Sequence, residues 1–194
     1  MKKIIFLIVA LISLDLAAQT NGLELSIQYF ETVKNNSPKA DEVYYELGEL
    51  DCNALAEELD SDEKILAFWM NIYNTSVQYI LKKDPSKFDD RGAFFKAKQI
   101  KIAGQMLSFD LIEHGILRRS KSKLSLGYFG KWNVSKFEKK MRIRRVDPRI
   151  HYALNCGALS CPPIVVYHAD KVNEELDESA KRYLKKTVVI KEND

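Results

Sequence analysis

One long helical pattern, which starts after Ser61 and stops before Pro85, most strongly limits how this chain can fold. Ser61 or Asp62 can cap its first turn, and Asp84 followed by Pro85 ends it. The apolar positions follow the spacing of a helix with one buried face; they are Ile65, Phe68, Trp69, Ile72, Tyr73, Tyr79 and Ile80. The pattern therefore predicts a core helix over residues 64–83.

A second stripe on the same helix consists of the amides Asn71, Asn74 and Gln78. Asparagine is unfavourable inside a helix because its side chain competes for backbone hydrogen bonds. Two interpretations stay open. Either the amides form an exposed polar face, or they hold a neighbouring loop by hydrogen bonds.

The patterns around this helix predict an α+β fold, a helix-dominated single domain with a small, mainly antiparallel sheet. A length of 194 residues predicts one domain, and a hydrophobic content of 46% supplies enough apolar material for its core. Residues 100–109 predict a hairpin that turns at Gly104-Gln105. Residues 169–185 have the spacing of an amphipathic helix.

The N-terminal half of the chain gives less definite patterns. Apolar residues alternate over 21–30, which fits either a strand or the first turns of a helix that continues to Val33. Asp51 can cap a helix that runs through Leu59. Residues 85–95 predict a loop.

Three further segments complete the expected fold. Ser108 or Asp110 begins a short helix within residues 107–119. Residues 150–154 predict a buried strand, and residues 187–191 predict a last strand.

The first nineteen residues predict a secretory signal peptide. Lys2 and Lys3 precede an apolar run over residues 4–14, and Ala17-Ala18 offers a cleavage site. The run is shorter than the roughly 20 residues that span a bilayer. We therefore expect a globular domain over residues 20–194, exported to the periplasm or secreted, with no transmembrane segment in the mature chain.

The basic residues do not indicate a nucleic-acid partner. The net charge is only +3, and the basic patches lack the interleaved aromatic side chains on which bases would stack. They fit a solvated positive face.

Residues 147–163, DPRIHYALNCGALSCPP, concentrate reactive side chains as no other stretch does. Arg149, His151 and Asn155 lie close in the sequence to Cys156 and Cys161. With Cys52, the chain has an odd number of cysteines, so in an oxidising compartment at most one internal pair can form. A Cys156–Cys161 pair would close a short loop and contribute little stability.

Three phrases in this order resemble the domain of unknown function 547 (DUF547) family: AFWMNIYN at 67–74, LSFDLIEHGILRR at 107–119 and DPRIHYALNCGALSCPPI at 147–164. The resemblance covers roughly residues 65–185. It implies that the phrases belong to one domain and meet in space, but the family name supplies no reaction.

If the phrases meet, the cleft has the composition of a thiol-dependent hydrolase or acyl transferase. Cys156 is the candidate nucleophile, and Gly157 leaves room for backbone N–H groups to form an oxyanion hole. The base is His151 or His114. Glu113 or an Asn orients it.

The candidate substrate-binding residues are Asn71, Asn74, Arg149 and Asn155. Glu113 and His114 are adjacent, and on an α-helix such side chains point about 100° apart. We therefore expect at most one of the two to face a given cleft. Export suggests a peptide-like or envelope substrate, and no cofactor is expected.

Two other kinds of site compete with this hypothesis. A metal site is the weaker of the two, because no second cysteine pair accompanies Cys156 and Cys161, and no metal ligands are assigned. The main alternative is a non-catalytic binding or scaffold module. In that case Cys156 and Cys161 form a local disulfide, His151 packs in the core, and Arg149 bonds the Asn stripe.

Overall fold

Helix α4, Asp62–Lys83, is the centre of the fold, as the sequence predicts. The computed structural model describes residues 21–121, 130–157, 161 and 163–187. Every α4 residue from Ile65 to Val77 is buried, including the polar ones. The helix is therefore covered on all sides along this stretch, and not on one face only. Helices α1 and α7 and a π-helix supply this cover.

The remaining elements are mostly short helices. In chain order they are α1 Gly22–Lys34, α2 Ala40–Glu49, α3 Cys52–Glu58, α4, a 3-10 helix Pro85–Phe88, α5 Arg91–Lys96, β1 Ile100–Ile102, β2 Gln105–Leu107, the π-helix Leu111–Leu117, α6 Lys136–Met141, a 3-10 helix Pro148–Tyr152 and α7 Val172–Thr187. The expected fold class, a helix-dominated α+β domain with a small antiparallel sheet, is confirmed.

The predicted caps are confirmed at two helix starts. The Ser61 hydroxyl accepts the Lys64 N–H at 3.3 Å. Asp51 accepts the N–H groups of Asn53 and Ala54 at 2.8 Å each. These side chains satisfy N–H groups that have no partner within the helix.

The hairpin is confirmed, but its turn lies one residue earlier than predicted. Ile100 pairs with Leu107 in the antiparallel ladder. Ala103 and Gly104 form the turn with φ of 48° and 72°, the left-handed pair that suits a two-residue hairpin. Ala103 tolerates this conformation because its N–H donates to the Leu47 carbonyl at 2.9 Å, which ties the turn to α2.

One segment settles an open alternative, and two others differ from the predicted structure. The helix, and not the strand, is confirmed at the N-terminus as α1, where Asn21 accepts the Glu24 N–H at 3.2 Å and caps the first turn. The predicted loop at 85–95 contains a 3-10 helix and the start of α5. The predicted strand at 150–154 lies largely in the second 3-10 helix, which Asp147 caps and Pro148 opens.

The C-terminal amphipathic helix is confirmed as α7, with Val172 and Leu176 buried and Leu184 exposed. The predicted signal peptide and nearly all of the predicted last strand lie outside the described residues. Within the part of the chain that the structure describes, no helix combines the length and apolar character needed to cross a membrane.

Candidate functional site

A cavity of about 360 Å³ lies where α4, α5, the π-helix and the Cys156 segment meet. Its polar lining consists of Tyr73, Arg91, Lys96, Asp110, Glu113, His114 and Cys156. A second cavity, of about 350 Å³, also includes Asp110 and His114 in its lining. Residues from all three phrases of the sequence therefore meet in one cleft.

The π-helix brings Glu113 and His114 to the same wall. Its widened turn is visible in the hydrogen bond from the Arg118 N–H to the Glu113 carbonyl five residues earlier, at 2.8 Å. The expectation that only one of Glu113 and His114 would face the cleft is therefore wrong. It assumed the 100° step of an α-helix, and a π-helix turns through a smaller angle for each residue.

Two groups compete for the same nitrogen of His114. Glu113 Oε1 lies 3.6 Å from His114 Nδ1, and Arg118 Nη1 lies 2.9 Å from it. Arg118 can only donate, so this contact places a lone pair on Nδ1 and the ring proton on Nε2. A bond to the Glu113 carboxylate would need the opposite tautomer. The closer Arg118 contact selects the first arrangement here.

Asn71 and Asn74 hold the segment that carries the cysteines at both ends. Asn74 Oδ1 accepts the Asn155 N–H at 2.8 Å, and its Nδ2 donates to the Ala153 carbonyl at 3.0 Å. Asn71 makes the same pair of bonds to Tyr167, at 2.8 and 2.9 Å.

The interpretation that these amides hold a neighbouring loop is therefore confirmed for Asn71 and Asn74. Both residues are 0% exposed, and neither lines the cavity. Asn155 is also engaged, because its Oδ1 accepts the Gly157 N–H at 2.7 Å. A substrate-binding role for these amides stays a prediction.

Cys156 and Cys161 lie at disulfide-bonding distance, with their Cα atoms 6.3 Å apart. Cys156 also lines the cavity, where its sulfur accepts a hydrogen bond from Arg91 Nη2 at 3.5 Å. The following residue, Gly157, has a φ of 81°, a backbone conformation that would be strained in a residue with a side chain. The Cys156 N–H points at Cys161 Sγ, 3.2 Å away. The backbone N–H groups of Cys156 and Gly157 thus both have hydrogen-bond partners within the loop.

His151 does not line the cavity, whereas His114 does. His151 lies at the surface on the second 3-10 helix. Desolvation of its ring by the surrounding protein, and the positive charge of Arg118, lower its pKa. Of the two candidate bases, the structure thus places only His114 in the same cavity as Cys156.

Arg149 belongs to a separate network that joins the second 3-10 helix to α7. It contacts Asp147 at 2.6 Å and Asp177 at 2.7 Å. It also donates to Asn173 Oδ1 at 2.8 Å. Arg149 neither bonds the Asn stripe nor lines the cavity, so its contacts are those of a residue that connects two elements.

Sequence reasoning missed Tyr73, Arg91, Lys96 and Asp110. Tyr73 was assigned to the apolar face of α4; burial, followed by the charges of Glu113 and Asp110, raises its pKa. Asp110 lies three residues before Glu113, and this spacing was a signal that could have linked the two carboxylates. No sequence signal connects Arg91 and Lys96 with the site, because Arg91 lies in the predicted loop over residues 85–95 and Lys96 directly follows it.

The described residues contain no group of three or more His, Cys, Asp or Glu side chains placed to hold a metal ion. A search of the curated proteins and a search of the solved structures each gave no match. A family model described as "Protein of unknown function, DUF547" matches residues 56–184. The match covers most of the chain and includes every residue that lines the cavity. This chain is therefore a member of the DUF547 family.

Proposed function

We propose that this protein is a thiol-dependent hydrolase or acyl transferase whose nucleophile is Cys156. One observation carries the proposal: Cys156 lines the same cavity as the adjacent residues Glu113 and His114, which lie about 40 positions earlier in the sequence. Nucleophile, base and orienting carboxylate are the three roles that covalent acyl transfer requires.

In the proposed reaction, His114 takes the proton of the Cys156 thiol and the thiolate attacks an acyl carbon. The amine or alcohol leaves with the proton that His114 held, and a thioester remains on Cys156. Water then gives a proton to His114 and attacks the thioester, which releases the acid and restores the thiol. In acyl transfer, an amine or alcohol takes the place of water.

The tautomer of His114 sets one condition on this reaction. If Nε2 is to accept the thiol proton, Nδ1 must carry a proton and donate it to Glu113. Arg118 now donates to Nδ1 from 2.9 Å. The proposed reaction therefore requires Arg118 to leave Nδ1 when substrate binds, so that Glu113 takes its place.

The state of the cysteines sets a second condition. Cys156 can act as a nucleophile only when it is not bonded to Cys161. A dithiol reductant would convert the pair to two thiols and would itself become a disulfide. The proposed activity therefore depends on reduction.

Location and substrate belong to the same proposal. Residues 1–19 act as a signal peptide, and the mature protein works in the periplasm or outside the cell. A peptide-like or envelope substrate fits that location.

A second candidate function is a non-catalytic binding or scaffold module. The disulfide-bonding distance between Cys156 and Cys161 favours it, as do the backbone bonds made by Asn71 and Asn74. In this module the cysteine pair is a permanent brace of the loop.

One experiment distinguishes the hydrolase or acyl transferase from the non-catalytic module. Reduced, folded protein is incubated with p-nitrophenyl acetate, and its peptides are examined by mass spectrometry for an acetyl group on Cys156. The hydrolase proposal expects this adduct, expects much slower formation in His114→Gln, and expects no change in Cys52→Ser. If no adduct forms, and Cys161→Ser only lowers stability, the protein is the non-catalytic module.

A further inference from the structure

Charged side chains from two parts of the chain line the candidate site. Arg91 and Lys96 of α5 supply the cations, and Asp110 and Glu113 supply the carboxylates. Cys156 lies in the same lining. A ligand that enters this cavity therefore meets cations from α5 and the sulfur of Cys156 in one lining.

The two cations of α5 differ from most charged residues of the site in their contacts with carboxylates. Among the residues that the structure describes, no carboxylate forms an ion pair with Arg91 or Lys96, and both residues are exposed at the cavity. With no carboxylate bound to them there, Arg91 and Lys96 are available for an anionic group of a ligand.

The local structure fixes α5 in place before any ligand binds. Asp90 accepts the Ala93 N–H at 2.9 Å and so caps the helix. The buried ring of Phe94 stacks on Phe109 with centroids 5.0 Å apart.

The Arg91 guanidinium is held in addition by the Phe88 ring, since its carbon lies 5.0 Å from the ring centroid. This contact limits the freedom of a long side chain and lowers the entropy that ligand binding must remove. Arg91 is thus placed in advance for an anion.

We propose that the substrate carries a carboxylate next to the group that reacts, and that Arg91 and Lys96 bind this carboxylate. Arg91 Nη2 lies 3.5 Å from Cys156 Sγ. A carboxylate on the guanidinium therefore brings the carbon atoms beside it to the sulfur. Guanidinium groups match the two oxygens of a carboxylate, which favours this geometry over a single point contact.

The substrate class that follows is a carboxylate-bearing acyl compound, such as a peptide-like molecule with a free carboxylate close to the reacting bond. The identity of the reacting bond rests on the proposed function. Binding of the carboxylate by Arg91 and Lys96 can be tested, and disproved, independently of that function.

Two small alkylating reagents test directly whether the site recognises a carboxylate. Iodoacetate carries a carboxylate and iodoacetamide does not, whereas both transfer a similar group to sulfur. Their rates at Cys156 are measured on reduced, folded protein by peptide mass spectrometry. The ratio of the two rates is compared with the ratio for free cysteine, which removes the intrinsic difference between the reagents.

We expect the ratio at Cys156 to favour iodoacetate by about tenfold over free cysteine, which corresponds to about 1.4 kcal/mol of attraction from the two cations at a partly exposed site. Raising the salt concentration should reduce the preference. Arg91→Gln and Lys96→Gln should each lower the ratio severalfold. Lys87→Gln is the matched control, because Lys87 lies outside the cavity lining and bonds Gln99; it should leave the ratio unchanged.

The variants also separate the carboxylate inference from the proposed function. Arg91→Gln removes a contact to the sulfur and can slow both reagents, so only the ratio of the two rates tests carboxylate recognition. Lys96 is not the residue that contacts the sulfur, so Lys96→Gln tests recognition without this complication. If Cys156 reacts but its ratio equals that of free cysteine, or if neither variant changes the ratio, the carboxylate inference is wrong and the proposed function stands. If Cys156 reacts with neither reagent after reduction, both are wrong.

Discussion

Asn74 uses both ends of its carboxamide on the backbone that leads to Cys156. A buried amide that mimics a strand partner in this way cannot be replaced without leaving a backbone donor and acceptor unpaired. The same holds for Asn71 at the other end of the segment. These two residues explain why polar side chains lie inside the central helix.

Replacement of Asn74 by Ala should therefore destabilise the protein by about 2–4 kcal/mol, since two backbone groups lose their partner. Urea unfolding of the variant measures the change in the free energy of unfolding. Gln78→Ala is the matched control. Gln78 belongs to the same stripe but is only half-buried, so the control should stay within about 0.5 kcal/mol of the parent protein. Equal effects of the two substitutions would contradict the role given to Asn74.

His151 gives a prediction about pH. Its pKa in the folded protein is lowered by desolvation and by Arg118, so the unfolded chain binds a proton at a higher pH than the folded chain does. The free energy of unfolding should therefore fall as the pH drops below about 6.5, the ordinary pKa of His, and level off below the folded pKa. In His151→Gln this part of the pH dependence should be missing.

An NMR titration of the His151 ring provides the direct check. The folded protein should give a pKa below the ordinary value, and Arg118→Gln should raise it, because that variant removes a positive charge. A pKa that is the same in both proteins would show that Arg118 does not act on His151.

At the scale of elements, Arg149 joins the second 3-10 helix to α7. Burial raises the pKa of Asp147, but hydrogen bonds from Arg149 outweigh this effect and leave the pKa lowered. We expect Arg149→Gln to raise that pKa and to destabilise the protein by about 1–2 kcal/mol, because charge-assisted bonds at a partly exposed site are lost. Thermal unfolding above pH 5 measures the loss. Arg145→Gln is the control and should change stability little, since the bond that Arg145 makes to Asp62 comes from its backbone N–H.

The elements differ in how far the sequence could predict them, and the reason is physical. Helix α4 has both a regular apolar spacing and a capping Ser61, so local signals agree with the final structure. The π-helix has no such signal, because the sequence of an ordinary helix and that of a widened one follow similar patterns. The pairing of Glu113 and His114 on one wall depends on that widening and could not be predicted.

The residues of the candidate site also differ in how far the sequence could predict them. Cys156 and His114 stood out because reactive side chains were concentrated in recognisable phrases. Arg91 reached the cavity through the packing of α5 on aromatic rings, which is a tertiary effect. Asn74 was recognised as unusual in the sequence, but its partners at Ala153 and Asn155 lie about 80 residues away and only the structure identifies them.

At the scale of the whole molecule, the core extends beyond the residues that match the family. Helices α1 and α2 precede residue 56, yet Leu25, Tyr29 and Leu47 are buried in the common core. The Ser26 hydroxyl also accepts a hydrogen bond from Asn71 at 3.3 Å. The fold therefore needs these helices in addition to the matched region.

Truncation tests this dependence and, with it, the expected single domain. A chain of residues 20–194 should unfold in one cooperative thermal transition followed by circular dichroism. A chain of residues 56–194 should show none, because it leaves one side of α4 exposed to water. If the shorter chain unfolds cooperatively near the same temperature, α1 and α2 form a separate addition and the single domain is wrong.

The proposed chemistry depends on a reactive Cys156 thiol in the cavity that also contains His114 and Arg91. Its reactivity is measured by iodoacetamide labelling of the folded, reduced protein across a pH series, read by peptide mass spectrometry with Cys52 as the internal reference. We expect Cys156 to label faster than Cys52 and to react well below a pH of about 8.5, the ordinary pKa of a thiol, because neighbouring cations stabilise the thiolate. If Cys156 instead stays linked to Cys161 under the reductant, or labels no faster than Cys52 at any pH, the cysteine pair is a structural brace and Cys156 is not a nucleophile.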